Sequence, residues 1–345
     1  MKIADFELNK GKVFIVAELS ANHGHDLEIA KETIRAAKRA GADAIKLQTY
    51  TPDTLTIDCK KTDFILQHGT IWDGKTLYEL YQEAYTPWEW HLELFKTAHQ
   101  EGLICFSSPF DTTAVDFLEE LNVPAYKIAS FEITDIPLIE YVASKGKPII
   151  ISTGIADEND ISLAVETCRK IGNNQIVLLK TSSQYPAKIE DAHLKMIPDL
   201  ARRFNVLSGL SDHTSGELIP IIATSLGAVL IEKHFILDKK IGGPDATFSL
   251  DEMEFKQMVE SVRKTEKALG TIDYSLSEKA KNSRVFARSL YVVKDIKKGE
   301  TFTTENIRSI RPGFGLHPKF LPEILGKKAI TDMEKGTRLT ENSWK

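Results

Sequence analysis

The sequence predicts an α/β protein in which a (β/α)8 (TIM) barrel precedes a small, mainly β domain. Two observations predict the barrel. Eight short apolar runs recur through the first 270 residues, and most stretches between them carry the periodicity of an amphipathic helix. A third observation predicts the second domain: after Gly270 the chain turns polar and then continues in short segments punctuated by glycines. A doubly wound parallel sheet is the main alternative to the barrel.

The eight apolar runs are expected to form parallel strands. Several are nearly continuous in apolar residues, as strands buried on both faces should be. The runs cover 13–19, 44–48, 103–107, 125–128, 148–152, 176–180, 206–210 and 228–232.

Helices are expected between the strands. An apolar face recurs from Leu27 to Ala37, and Asp26 is suited to cap that helix. Ser249 to Glu252 has the pattern of a capping box, which should open a helix that runs to about Leu269. The long aromatic-rich insertion after the second run should build or cover the active face, because long loops after barrel strands usually do so.

We expect the barrel in residues 1–270, a linker in 271–284 and the small domain in 285–345. Residues 281–345 contain 14 Lys and Arg against 7 Asp and Glu, a net charge of +7, which leaves −12 on the other 280 residues. A basic tail could bind nucleic acid, dock on the acidic body, meet anionic substrates or be ordinary surface composition.

Composition excludes several classes of protein. The chain has 345 residues, of which 42% are hydrophobic and 27% charged, so disorder is excluded as its main state. The best candidate for a membrane span, Ile219 to Ile231, is interrupted by Pro220 and Gly227 and falls well short of the ~20 residues required. The N-terminus lacks the apolar core of a signal peptide. Three cysteines without CxxC spacing favour a reducing cytoplasm over a disulfide framework or a zinc knuckle.

Candidate functional residues lie where the strands end, since barrel enzymes carry their chemistry at that face. Every predicted strand end is polar. The residues are Glu18, Lys46, Gln48, Ser107, Ser108, Lys127, Ser130, Glu132, Ser152, Thr153, Lys180, Ser182, Ser183, Tyr185, Ser211, Asp212, His213, Glu232, Lys233 and His234.

Lys46 and Lys127 stand inside otherwise apolar runs. A buried ammonium group requires an anionic partner. That partner is either a carboxylate of the protein, in a structural ion pair, or the carboxylate or phosphate of a ligand. Hydroxyl groups at neighbouring strand ends would surround a bound phosphate with donors. They belong to Ser107, Ser108, Ser130, Ser152, Thr153, Ser182, Ser183 and Ser211.

His213 and His234 follow adjacent predicted strands, which lie about 5 Å apart. Two imidazoles there could share a divalent ion, with Mn²⁺, Co²⁺, Fe²⁺ or Zn²⁺ favoured over Ca²⁺. Asp212 and Asp245 could support the two histidines. Glu132, just past Lys127, is a candidate acid or base, and a salt bridge to a lysine is its alternative interpretation.

Several motifs together resemble the sialic acid synthase family of nonulosonate synthases. They are AELSANH at 17–23, KLQT at 46–49, YKIASFE at 126–132, GLSDH at 209–213, IEKHF at 231–235 and GPD at 243–245. The tail motifs KDIKKG at 294–299 and RPG at 311–313 resemble the antifreeze-like (SAF) domain of that family. The tract 72–90, with FARSLY at 286–291 and GLHPKF at 315–320, is most similar to the branch that makes pseudaminic acid.

The resemblance implies a metal-dependent condensation of phosphoenolpyruvate with an open-chain N-acylated amino sugar, with C–O cleavage and release of phosphate. It implies that Lys46 and Lys127 hold the phosphoenolpyruvate anion and that Glu132 or Glu18, with Glu132 favoured, handles protons. Serine hydroxyls would assist the lysines, namely Ser108, Ser130, Ser152, Ser183 and Ser211. His213 and His234 would bind the metal, with Mn²⁺ expected and Mg²⁺ or Co²⁺ as alternatives. The metal would polarise the sugar aldehyde and could activate water.

The resemblance also implies contacts to the sugar. Gln48, Tyr185 and Asp245 would touch the sugar or the metal-bound water. In a domain-swapped homodimer Arg311 would reach the partner subunit's sugar site. Flagellin or surface glycosylation is implied as the end use.

The chain departs from the common family pattern. Ser183 stands where asparagine is usual, and Ala129 and Phe131 stand where glycine is usual. Phe131 would line the site with apolar bulk, which suits a deoxy sugar.

Other interpretations stay open at the level of sequence. Legionaminic or N-acetylneuraminic acid synthesis would keep the same chemistry. A metal-dependent hydrolase would explain the two histidines but neither interior lysine. A binding module would explain the basic tail, but the tail has few aromatic residues and no RNA-binding motif, so no nucleic acid and no membrane are expected as partners.

Overall fold

The computed structural model describes residues 1–67, 69 and 72–345. Contacts divide the chain into two compact units, Met1–Gly270 and Thr271–Lys345. Residues 271–284, where the sequence predicts a linker, belong to the second unit and include a short helix at Glu278–Ser283.

The first unit is a closed barrel of eight parallel strands, which confirms the predicted fold class. A short antiparallel pair, β1 (Lys2–Ile3) and β2 (Phe6–Glu7), precedes it. The barrel strands are β3 (Phe14–Glu18), β4 (Ala44–Thr49), β5 (Ile104–Pro109), β6 (Tyr126–Ile128), β7 (Ile149–Ser152), β8 (Ile176–Thr181), β9 (Leu207–Asp212) and β10 (Leu230–His234). β10 pairs with β3 and closes the barrel.

Helices follow the strands in the alternating order that the sequence predicts. They are α1 (Leu27–Arg39), α2 (Pro52–Leu55), α3 (Leu77–Ala84), α4 (His91–Gln100), α5 (Thr112–Glu120), α6 (Ile136–Ser144), α7 (Glu158–Lys170), α8 (Met196–Phe204), α9 (Leu218–Ser225) and α10 (Glu252–Leu269). The Asp26 side chain caps α1, as predicted.

The predicted capping box of α10 is wrong by two residues. Asp251, not Ser249, caps the helix, and Glu254 completes the box. The Ser249 hydroxyl instead donates to the carbonyl oxygen of Asp245 and accepts from the side chain of Asn22. These bonds connect the loop before α10 to the loop after β3. The helix ends at Leu269 as expected.

The inward-facing positions of the barrel change from apolar to polar along each strand. Alternate residues of a strand face the same side, so the side chains at 14, 16 and 18 share one face. Apolar inward residues form one buried cluster toward the strands' amino-terminal ends, including Phe14, Val16, Ala44, Phe106, Ala125, Ile150, Val177 and Leu230. Polar residues occupy the next inward positions. The barrel interior is therefore apolar toward the amino-terminal ends of the strands and polar toward their carboxyl ends.

The second unit is mainly β. Strands β11 (Ser289–Val292) and β12 (Ile307–Ile310) pair antiparallel, and isolated bridges such as Ile296 with Met333 extend the pairing. Helices α11 (Glu278–Ser283) and α12 (Leu321–Ile324) are short. Its own core includes Leu290, Ile296, Phe302, Ile307, Ile324 and Leu339. Across the parts of the chain that the structure describes, no helix is both long and apolar enough to cross a membrane.

Candidate active site

Two lysines and two glutamates form an ion quartet at the carboxyl ends of the barrel strands. Lys46 on β4 contacts the carboxylate of Glu18 on β3. Glu232 on β10 places its Oε1 atom 3.7 Å from Lys46 Nζ and 3.6 Å from Lys127 Nζ on β6. All four side chains are at least 94% buried, since their exposed fractions are 6% or less. Both lysines therefore have carboxylate partners within the protein, which agrees with the structural ion pair as one interpretation of the interior lysines.

Burial changes the pKa values of two groups in this quartet. It disfavours the ammonium form of Lys127 and lowers its pKa to about 8, although the nearby Glu232 carboxylate opposes the change. Burial also raises the pKa of Glu18, and the Lys46 ammonium opposes that rise. Gln48 stands beside the quartet, since its amide donates to Glu18 Oε1 at 3.2 Å and to Ser20 Oγ at 2.9 Å.

Glu232 is the member of the quartet that the sequence-based site did not include. The sequence predicts Glu232 as a polar strand end without a specific role. The signal for a role is its carboxylate inside the apolar run that forms β10. A buried carboxylate of this kind requires a cation, just as the buried lysines require an anion.

Five predicted hydroxyl groups lie around the lysines and the neighbouring strand ends. Lys46 Nζ donates to Ser108 Oγ at 3.3 Å, Lys127 Nζ donates to Ser152 Oγ at 2.7 Å, and Ser211 Oγ donates to Glu232 Oε1 at 3.1 Å. Ser130 and Ser183 flank Gly154, because a Cβ atom added there would lie 2.7 Å and 2.0 Å from their Oγ atoms. Gly154 thus leaves room for two converging hydroxyl groups.

Three other hydroxyl groups of the expected ring make bonds elsewhere. Ser107 Oγ bonds to Thr49 Oγ1 at 2.6 Å, Ser182 Oγ donates to the Asp191 carbonyl, and Thr153 Oγ1 donates to the Leu179 carbonyl. Including Ser107 in a phosphate-binding ring is therefore wrong, whereas the roles of Ser182 and Thr153 stay predictions. The reason for Ser107 is strand alternation, which turns it away from the side that Ser108 faces.

His213 and His234 lie side by side, with ring centroids 5.3 Å apart. His213 Nδ1 bonds to the Ser182 carbonyl oxygen at 2.8 Å, and a carbonyl can only accept. The proton is therefore on Nδ1, and the Nε2 lone pair is free to bind a metal. Burial lowers the pKa of His213 to about 3, which keeps the ring neutral. His234 Nδ1 is buried, lacks a hydrogen bond within the described residues and lies 3.5 Å from Asp245 Oδ2.

The two aspartates expected to support this pair differ. Asp245 lies beside His234, whereas Asp212 is held elsewhere by Lys233, whose Nζ donates to Asp212 Oδ2 at 2.5 Å. Asp212 as a support for the histidines is therefore wrong. Among the residues that the structure describes, no group of three or more His, Cys, Asp or Glu side chains is placed to hold a metal. Two imidazoles suit an open site in which water or substrate completes the coordination.

Glu132 lies in a single turn directly after β6, at the edge of the site. Its Oε2 atom is buried and has no hydrogen-bond partner in the described part of the chain. Burial raises the pKa of Glu132 to about 7, although Lys127 opposes the rise. Both protonation states are therefore populated near neutral pH, as proton transfer requires. The alternative of a salt bridge to a lysine does not hold, because Glu132 lies in none of the ion pairs at these strand ends.

A cavity of about 580 Å³ opens above these residues and is lined by both polar and apolar side chains. The polar residues include Ser20, Gln48, Glu132, Tyr185, His234 and Asp245. The apolar residues include Leu55, Leu66, Leu77, Leu80, Phe110 and Phe131. Most of these apolar residues come from the long insertion after β4. Trp72 also lines the cavity, where its Nε1 donates to the Pro244 carbonyl oxygen and its ring lies 5.7 Å from that of Tyr185.

Arg311 lies in the second unit directly after β12, and the peptide bond to Pro312 is cis.

A model described as the NeuB family matches residues 33–274, and one described as the SAF domain matches residues 287–343. The chain belongs to the NeuB family. A pseudaminic acid synthase from Campylobacter jejuni (strain 81-176) is 53% identical to it over the full length of both chains. A pseudaminic acid synthase from Helicobacter pylori is also 53% identical, over 94% of this chain and 96% of its own. An N,N'-diacetyllegionaminic acid synthase from Legionella pneumophila is 37% identical, over 94% of this chain and 93% of its own.

Solved structures give the same family assignment. A spore coat polysaccharide biosynthesis protein from Bacillus subtilis has a TM-score of 0.68 and 34% identity, over 99% of this chain and 98% of its own. An N-acetylneuraminic acid synthetase from Leptospira borgpetersenii has a TM-score of 0.73 and 29% identity, over 82% of this chain and 94% of its own. The family resemblance stated from the motifs is confirmed, including the antifreeze-like (SAF) domain.

Proposed function

We propose that this member of the NeuB family is a pseudaminic acid synthase. It would condense phosphoenolpyruvate with open-chain 2,4-diacetamido-2,4,6-trideoxy-β-L-altrose and water, in the cytoplasm, and give pseudaminic acid and phosphate. The observation that carries the proposal is the 53% identity to synthases of that name over the full length of the chain. The geometry of the site supports the proposal.

Phosphoenolpyruvate would bind at the two lysines. Lys46 and Lys127 present ammonium groups from β4 and β6 to the same Glu232 oxygen, so one bridging anion can contact both. Ser108 and Ser152 already bond to these ammonium groups and would turn their hydroxyl hydrogens toward a phosphate or carboxylate. Ser130, Ser183 and Ser211 would supply further donors.

His213 and His234 would hold a divalent metal, for which Mn²⁺ is the first expectation and Mg²⁺ or Co²⁺ are alternatives. The residues fit such an ion, because His213 Nε2 is unprotonated and His234 Nδ1 is a buried nitrogen without a hydrogen bond in the described residues. When bound, the ion supplies Lewis-acid polarisation of the sugar aldehyde. Asp245, 3.5 Å from His234, would orient that imidazole or contact the sugar.

The bond changes then balance. Carbon 3 of phosphoenolpyruvate bonds to the aldehyde carbon, and the aldehyde oxygen takes a proton. Water adds to carbon 2, which has become electron-deficient, and loses a proton to leave a hydroxyl group there. The bond from carbon 2 to the phosphate oxygen breaks, and the phosphate keeps the electron pair. The new hydroxyl group gives its proton to the departing phosphate, and carbon 2 becomes the ketone carbon. Glu132 would transfer one of these protons at its free Oε2 atom, because its pKa of about 7 allows both roles. Glu18 is the alternative acid or base.

The cavity suits a deoxy sugar with acetyl groups. Gln48 and Tyr185 would bond to its hydroxyl or amide groups. The apolar lining residues would bury its methyl groups, and each buried methyl or methylene is worth about 0.8 kcal/mol. A hydroxymethyl group against Leu77 or Leu80 would leave a buried hydroxyl without a partner, at a cost of about 1–3 kcal/mol. Legionaminic acid synthesis is the alternative, since its precursor is also a trideoxy sugar.

Phosphate release from phosphoenolpyruvate tests the function directly. The purified chain with Mn²⁺ would be offered the altrose, the legionaminic precursor and N-acetylmannosamine, each with and without EDTA. We expect release with the altrose that EDTA abolishes. Release with another sugar would keep the chemistry and change the branch. No release with any sugar would refute the synthase, and a metal-dependent hydrolase would then be the better assignment.

A second copy of the chain would complete the sugar site, with Arg311 of one subunit reaching the barrel of the other in a domain-swapped homodimer. Subunit complementation tests this. Arg311→Ala and Glu132→Gln should each be inactive alone, yet a mixture that exchanges subunits should regain up to about a quarter of the wild-type activity. This follows because one of the two sites in a mixed dimer is intact when Arg311 acts across the dimer. Failure to regain activity in verified mixed dimers would contradict the arrangement.

A further inference from the structure

Glu232 connects the two lysines that would bind phosphoenolpyruvate. It extends from β10, whereas Lys46 and Lys127 extend from β4 and β6. Its Oε1 atom lies within 3.7 Å of both ammonium groups and accepts a hydrogen bond from Ser211. Within the described residues, Glu232 is the one carboxylate paired with Lys127, while Lys46 also has Glu18.

The lysines cannot accept an anion as exposed lysines do. Their side chains are 4% and 2% exposed, so an incoming anion reaches them by replacing a neighbour. Glu232 is the neighbour they share, and its second oxygen is buried without a hydrogen-bond partner in the described part of the chain. Its position matches that of a bridging ligand oxygen.

We propose that Glu232 is an internal counter-ion, which keeps Lys46 and Lys127 charged and in place in the free protein. Phosphoenolpyruvate would replace the Glu232 carboxylate as the anionic partner of both lysines when it binds. The proposal rests on the proposed function and makes Glu232 a positioning residue. A buried ammonium without a partner loses its proton readily, and a unit charge 3.6 Å away opposes that loss strongly. Without Glu232 the pKa of Lys127 would fall below its value of about 8, so the free protein would hold a larger fraction of Lys127 neutral at alkaline pH.

Other charged groups also act on Lys127. Glu18 favours the charge of Lys127, and Lys46 opposes it. Glu132, in the turn after β6, interacts with Lys127 as well. All three remain in a Glu232→Gln variant, but Glu232 raises the pKa values of Glu18 and Lys46, so both groups also respond to the substitution. The ratio of variant to wild type therefore measures the effect of the Glu232 charge on the whole quartet.

The experiment is isothermal titration calorimetry of phosphoenolpyruvate into the full-length, Mn²⁺-loaded protein at pH 6.5 and pH 8.5. Wild type, Glu232→Gln and Glu232→Asp would be compared. Glu166→Gln, an exposed glutamate on α7, is the matched control. The KM for the sugar and the Mn²⁺ concentration for half-maximal activity would be measured on the same samples.

At pH 8.5 we expect Glu232→Gln to bind phosphoenolpyruvate at least tenfold more weakly than wild type. At pH 6.5 the difference should shrink to less than threefold, because the solution then restores the proton on Lys127. Glu232→Asp should recover part of the affinity at pH 8.5, and the sugar KM should change less than twofold. Glu166→Gln should match wild type.

Each other outcome decides against a specific claim. A loss of affinity that is equal at both pH values, or accompanied by an equal loss for the sugar, would assign Glu232 a merely structural role. Unchanged affinity would also refute the counter-ion. If wild type itself did not bind phosphoenolpyruvate, the proposed function would fail and the counter-ion role with it.

Discussion

Replacing Glu132 with glutamine should slow the reaction and at the same time stabilise the folded barrel at alkaline pH. The two effects have one cause. Burial holds the pKa of this carboxyl at about 7, against an ordinary value of 4.5, so its ionised form is unfavourable in the folded state. The proposed reaction would use the proton of this carboxyl group, whereas the raised pKa lowers the stability of the folded state.

The sign follows from proton binding in the two states. Below pH 4.5 Glu132 is protonated in both the folded and the unfolded chain and costs nothing. Between pH 4.5 and 7 the folded state holds more protons, so the free energy of unfolding falls as the pH rises. Above pH 7 the penalty is complete. At 1.36 kcal/mol per pH unit, the difference between 4.5 and about 7 amounts to about 3 kcal/mol.

Urea denaturation at pH 5 and pH 8.5 would measure this effect. Glutamine has nearly the same size, and the cost of burying its amide does not depend on pH, so the comparison across pH isolates the carboxyl. We expect Glu132→Gln to gain about 2–3 kcal/mol over wild type between the two pH values. The kcat should fall by about 10²–10⁴, and the break in the pH–rate profile near pH 7 should vanish.

A stability difference that stays constant from pH 5 to pH 8.5 would refute the raised pKa. A normal kcat together with the expected stability gain would show that Glu132 is buried but uninvolved in the reaction. The exposed Glu166→Gln substitution should change neither quantity.

Three further substitutions test separate parts of the site and barrel. Lys127→Met should raise the KM for phosphoenolpyruvate at least tenfold and the KM for the sugar less than twofold, because it removes one of two cations for the anion; initial rates measure both. His213→Ala should weaken Mn²⁺ binding at least tenfold, since one of two imidazoles is lost; electron paramagnetic resonance of free Mn²⁺ measures it without a turnover assay. Arg263→Ala should lower the free energy of unfolding by about 1–3 kcal/mol without changing kcat, because Glu266 and Asp43 each lose a cation 2.6 Å away and, among the described residues, Asp43 keeps only Lys12; urea denaturation measures it.

The fold could be predicted because each barrel strand carries its own signal. The runs that form β3, β7 and β8 are buried along nearly their whole length, which only a sheet covered on both faces allows. The strand-end rule then located Lys46 and Lys127 without any knowledge of pairing. These predictions depend on local sequence alone.

The pairing of side chains across the barrel could not be predicted in the same way. Glu232 meets Lys46 and Lys127 across the lumen, and those contacts depend on the stagger of strands that are far apart in sequence. The orientation of Ser107 and Ser108 depends on where strand alternation begins in β5. Asp212 was assigned to the histidines because of its neighbour in sequence, yet its side chain meets Lys233 on the adjacent strand.

Two sets of charges act on an anionic ligand, the net charge of the whole barrel and the buried ion quartet. The nearby quartet has the larger effect at the site. Residues 1–280 carry a net charge of −12, which by itself would disfavour an anionic substrate. Surface charges are screened beyond about 8–10 Å at physiological ionic strength, whereas groups 3.6 Å apart in a buried quartet are not. The quartet is neutral when both glutamates are ionised, so it can be buried at tolerable cost in the free protein. An anion that takes the place of one carboxylate then meets two ammonium groups that are already desolvated and in place. Under these two proposals an acidic barrel would bind phosphoenolpyruvate because its lysines are kept charged by a carboxylate that the substrate replaces.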